Sequence, residues 1–171
     1  MSCRQAPFRR IPGGLRKYKL MNELSPAKQW DGFLARFNPE IVALVRSALT
    51  RMRKRLPGAV ELVYDNFNAL VVGFGPTERA SDALFSLAIY PRWANLFFLQ
   101  GARLKDPTGL LQGRSRVVRH IRLSAPNLID DPGIRDLMKR AQAQAKKAID
   151  PKARGRMVIK SISSKQRSRR P

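Results

Sequence analysis

The chain has 171 residues, enough for one domain with tails, and its 43% hydrophobic fraction is ordinary for a globular protein. Charge is the outlier: 34 Lys and Arg stand against 12 Asp and Glu, a formal net charge of +22, which suggests a polyanionic partner, nucleic acid by default, or basic tails that serve solubility. No apolar run approaches the ~18–20 residues of a membrane helix, the N-terminus lacks the apolar core of a secretory signal, and the single cysteine, Cys3, excludes an intramolecular disulfide and favours a reducing, cytoplasmic setting.

Residues 1–20 carry six Lys or Arg and no acid, and Pro7, Pro12, Gly13 and Gly14 break any periodicity. They read as a disordered basic tail; a transit peptide and a true start at Met21 are the other readings. The globular domain is expected over 21–149. Ser25-Pro26 predicts a helix start, since serine caps an orphan N–H and proline suits the first helical position. Trp30, Phe33, Leu34 and Phe37 then form one apolar face. Asn38-Pro39 repeats the start signal, and Ile41, Leu44, Val45, Ala48, Leu49, Met52 and Leu56 continue a stripe for four turns. Arg51, Arg53, Lys54 and Arg55 crowd its end, where cations meet the negative pole of the helix. Pro57-Gly58 stops it.

Five strands follow: Val60–Tyr64, Ala69–Phe74, Ala83–Tyr90, Ala94–Gln100 and Val117–Leu123. Pro91-Arg92-Trp93 makes the third and fourth a hairpin. Phe85, Leu87 and Ile89 are expected under the helices, which leaves the opposite face open for any chemistry. Asp106-Pro107-Thr108-Gly109 predicts a turn in the long loop, and Leu110-Leu111 tack that loop to the core. A last helix is expected over Ile134–Ile149. Residues 150–171 carry eight Lys or Arg against one acid and read as a basic C-terminal tail. Met157-Val158-Ile159 either docks on the domain or forms a short strand, and Lys165–Pro171 is expected to be disordered. The fold class is therefore α+β: a two-layer sandwich of a five-stranded antiparallel sheet with N-terminal and C-terminal helices on one face.

The run Glu61-Leu-Val-Tyr64, the stretch Phe67–Gly75, the turn Tyr90-Pro-Arg-Trp93, the loop Leu104-Lys-Asp-Pro107 and the strand Val118–Leu123 together resemble the YdhG-like domain-of-unknown-function family over roughly residues 24–149. The resemblance implies a frataxin-like arrangement, and one bacterial relative is regarded as a frataxin-type iron chaperone. Such iron handling uses an acidic ridge on the first helix. Here Ser25–Leu56 holds only Asp31 and Glu40 against seven Lys or Arg, without the clustered carboxylates that hard cations need. Gly113-Arg114-Ser115-Arg116 also departs from the family loop, where a second glycine is expected.

Two groups of candidate residues emerge. A polar pocket of Glu61, Tyr90, His120 and Arg122 on the open sheet face would suit a small molecule, His120 being the one side chain that changes charge near neutrality. The plainer reading is a lone histidine on a sheet surface. Arg51, Arg53, Lys54 and Arg55, with Arg114 and Arg116 in the loop, are candidates for salt-sensitive phosphate contacts; the plainer reading is a solvated helix end. Arg92 and Trp93 at the hairpin tip suit stacking on bases. Arg119, among apolar neighbours, is expected to pair with Asp65 or Asp106. No catalytic constellation, cofactor motif or metal-ligand set is present, so a non-enzymatic binding module is expected.

Overall fold

The computed structural model describes residues 24–170; the stretch 1–20 and Met21 lie outside the described residues. Helix α1 (Pro26–Leu34) starts as its sequence dictates, with the Ser25 hydroxyl accepting from the Lys28 N–H at 3.4 Å. Helix α2 (Pro39–Arg55) buries Ile41, Val45, Ala48, Leu49 and Met52. Just past its end, Gly58 has a φ of 78°, which favours glycine. A Cβ there would also stand 1.9 Å from the carbonyl oxygen of Asp150. Helix α3 (Pro132–Ala143) is capped by Asp131, which accepts from the N–H groups of Gly133 at 2.8 Å and Ile134 at 3.2 Å. It buries Ile134, Leu137 and Met138 and stops well short of the expected Ile149, although Gln144–Ile149 contains no helix breaker.

Strands β1 (Val60–Asp65), β2 (Leu70–Gly75), β3 (Phe85–Ile89), β4 (Ala94–Phe98), β5 (Arg119–Leu123) and β6 (Arg156–Ile162) form one sheet in the order β5-β4-β3-β2-β1-β6. The first five pair antiparallel as expected. The sixth runs parallel to β1, with a register shift after Val63. The fold is thus α+β with a six-stranded mixed sheet, which corrects the five-stranded antiparallel expectation. The added strand arises because Met157, Ile159 and Ile162 pack against the core. Basic and polar neighbours mask that apolar rhythm in the sequence.

Val63, Val72, Phe74, Phe85, Leu87, Leu96, Phe98 and Ile121 face the helices. Phe85 and Phe98 meet edge-on at 5.4 Å. On the opposite face the 76–84 connection folds back over β2. Gly75 permits this, because a Cβ would lie 2.9 Å from the Ala83 Cα.

After β6 the chain does not become a free tail. Asp65 is 0% exposed and accepts from Arg36 Nη2, from Gln166 Nε2 and from Arg169 Nη2 at 2.9 Å. Arg169 is 4% exposed, donates to the carbonyl of Asn66, and lies 5.6 Å over the Phe37 ring. The N–H of Ser163 bonds the Asp65 carbonyl, and that of Arg167 bonds Phe67, each at 2.9 Å. The expectation of disorder from Lys165 is therefore corrected through Arg170: a basic run that reads as solvated is drawn in by one buried carboxylate.

Candidate anion-binding groove

α2 and α3 lie side by side and leave a groove of about 560 Å³ between them. Residues at spacings of three and four share a helix face. Arg51, Lys54 and Arg55 on α2 therefore look across at Arg135, Lys139 and Gln142 on α3, with Met138 between the two helices. One carboxylate, Asp130, closes the group. Five cations against one anion give the lining a charge of +4.

Asp130 fixes part of this set. It accepts from Arg51 Nε at 2.6 Å and from Arg55 Nη2. Arg51 is also held by Ser47 of its own helix. Hydrogen bonds from Arg55 and Arg51 hold the Asp130 carboxyl below its ordinary pKa; desolvation opposes them, and the charges of the two guanidinium groups add to the lowering. Lys54, Arg135 and Lys139 are exposed and make no ion pair among the described residues. The arrangement resembles a cationic clamp with two preset guanidinium groups and three free ends. Because Asp130 stays ionised below its ordinary 3.8, groove charge is constant from about pH 5 to 8. Binding of any polyanion in the groove, measured by anisotropy of a labelled ligand at fixed ionic strength, should therefore be flat over that range. It should tighten only when the pH falls through the lowered Asp130 pKa and the lining gains one unit of positive charge.

The other candidates separate. Arg53 points away from the groove and makes two bonds to Glu61, Nε to Oε1 at 2.6 Å and Nη2 to Oε2 at 2.8 Å. The Glu61 hydrogen bond raises the Arg53 pKa, burial opposes this, and the charge of Glu61 adds to it. Glu61 consequently belongs to the helix-covered face, beside Phe74 in register, and leaves the proposed open-face pocket. Arg114 and Arg116 are exposed in the loop beside β5 and do not line the groove. That loop is tacked down as expected, with Leu110 and Leu111 against the core and their N–H groups on Asp106 at 3.1 and 2.7 Å. Arg119 pairs with no acid among the described residues; it donates to the Val118 carbonyl at 2.9 Å and to that of Ser115.

On the open face, Tyr90 stacks on Trp93 at 5.2 Å and the Arg122 guanidinium lies 5.1 Å over the Trp93 ring. His120 lies 5.2 Å from Phe97 and also packs against Gly113. Tyr90, His120 and Arg122 thus share one face, in a shallow aromatic surface. Among the described residues, no group of three or more His, Cys, Asp or Glu could hold a metal ion. No described helix is long and apolar enough to cross a membrane. Arg135 and Lys139 are not among the residues expected from sequence, although their i, i+4 spacing opposite the buried Ile134-Leu137-Met138 face marks a basic stripe. No family model, curated protein or solved structure matches the chain.

Proposed function

We propose that the protein is a non-catalytic cytoplasmic binding module for a polyanion, and that the backbone of double-stranded nucleic acid is the ligand of the α2–α3 groove. The observation that carries this reading is the +4 lining, in which Lys54, Arg135 and Lys139 are left without an ion pair among the described residues. The groove has no aromatic side chain to stack on a base, which favours contact with phosphates rather than sequence. The ordered run of motifs supports membership of the YdhG-like family, and the helix layer on one sheet face supports a frataxin-like relationship. The iron-chaperone alternative has no carboxylate cluster to support it among the described residues.

The test is the salt dependence of binding. Neutralising phosphates should give a log K slope of about −0.9 for each one. The triple variant Lys54→Glu, Arg135→Glu, Lys139→Glu should lower the magnitude of the slope by about three units for a 20-bp duplex. A parent protein that ignores the duplex at 50 mM salt, or a triple variant with an unchanged slope, would sink the proposal.

A further inference from the structure

The outer face of the sheet carries a second, chemically different surface. Sheet register places Val60, Leu62 and Tyr64 of β1, Val71 and Gly73 of β2, and Ser86 and Ala88 of β3 on that face. It adds Asn95 and Phe97 of β4, His120 and Arg122 of β5, and Arg156 and Val158 of β6. None of these is a carboxylate. The acids of the sheet, Glu61 and Asp65, point to the helix side. On this side Glu78 of the 76–84 connection pairs with Arg156 at 2.8 Å, whereas over β4 and β5, where the planar groups gather, the charged strand residue is Arg122.

Two ladders of planar groups lie there. Tyr90, Trp93 and Arg122 form one, and Phe97 with His120 forms the next, two residue pairs along the β4–β5 ladder and so on the same face. Between them sits Asn95, 9% exposed and cross-strand from Arg122. Its Oδ1 has no hydrogen-bond partner among the described residues. A buried amide oxygen without a partner is costly and marks a place where a donor is missing. Successive outward residues on a strand are about 6.6 Å apart, and planar side chains on a sheet at that spacing are a stacking platform for splayed bases.

We propose that the outer face of β3–β4–β5 binds single-stranded nucleic acid, with bases stacked on the Trp93 and Phe97 ladders, phosphates paired to Arg92 and Arg122, and a base N–H donated to Asn95. The proposal takes its partner class from the nucleic-acid reading of the groove, but its site lies on the opposite layer. Charge selects this occupant over an apolar protein segment. The large exposed hydrophobic side chains, Leu24, Phe67 and Val117, lie off these ladders, whereas arginine flanks them.

Trp30 of α1 is buried in the core, so fluorescence changes on titration report Trp93. Adding a twelve-residue oligothymidylate to the full chain at low salt should quench this fluorescence to saturation. Phe97→Leu keeps apolar bulk and removes the ring; it should weaken binding roughly 5- to 150-fold. Arg122→Gln should lower the salt slope by about one unit. Both variants should keep the parent's circular dichroism and duplex affinity. The groove triple variant should keep the single-strand quench, so the two readings fail separately. The absence of quenching at low salt overturns the proposal. So does a folded Phe97→Leu protein with parental affinity, or equal quenching by polyglutamate.

Discussion

Replacing Asp65 with alanine should destabilise the domain by about 3–5 kcal/mol, the usual consequence of removing one partner from a buried ionic group. Asp65 is wholly buried and is the shared acceptor of Arg36, Gln166 and Arg169. Without it Arg169, itself 4% exposed, keeps its charge with only backbone carbonyls and the Phe37 ring as partners. The effect should appear as a lower urea midpoint with an unchanged slope, and as a fall in Tm of roughly 6–20 °C for a domain of this size. Arg169→Met should cost less, because Arg36 and Gln166 still satisfy the carboxylate. In a double-mutant cycle the two changes should therefore be strongly non-additive. Additive losses, or an Asp65→Ala protein within about 1 kcal/mol of the parent, would show that the cluster does not anchor the C-terminal segment.

Legibility in the sequence follows how local each determinant is. Ser25-Pro26 and Asn38-Pro39 announce α1 and α2 because capping involves only neighbouring residues. Phe85, Leu87 and Ile89 alternate cleanly because one face of β3 meets helices. Strand β1 is different. Its period of two separates Glu61 and Val63 from Val60 and Leu62, but both sets are buried. The pattern alone does not say which faces the helices. Glu61 looks like a solvent residue until Arg53 arrives from α2 to pair with it. The groove is half legible for the same reason. Arg51, Lys54 and Arg55 share a face within one helix, whereas their meeting with Arg135 and Lys139 is a tertiary event across some eighty residues. β6 is hidden by its own charge, with Arg156 and Lys160 flanking three consecutive apolar residues.

Deleting residues 150–171, an obvious experiment for a chain with basic ends, should remove the fold rather than merely the charge. The deletion takes away the parallel partner of β1, together with Met157, Ile159 and Ile162 from the edge of the core. Half-burial of three such side chains contributes about 1 kcal/mol each. Losing the Gln166 and Arg169 bonds to Asp65, which keeps Arg36 and gains water, adds about 1.5–3 kcal/mol. The sum, roughly 4–6 kcal/mol, matches the lower end of the whole stability of an ordinary domain. Circular dichroism and size-exclusion of the truncated chain should show loss of cooperative unfolding; a folded truncated protein with a parental Tm would refute this anchoring role. Any loss of nucleic-acid binding in that truncation therefore says nothing about electrostatics. Charge has to be removed without the strand, by changing Lys152, Arg154, Lys165 and Arg167 to glutamine, side chains that make no ion pair among the described residues. If the groove is the site, this fourfold change should leave both fold and duplex salt slope close to the parent's. If the C-terminal cations bind phosphate, the slope should fall by about one unit for each phosphate no longer neutralised.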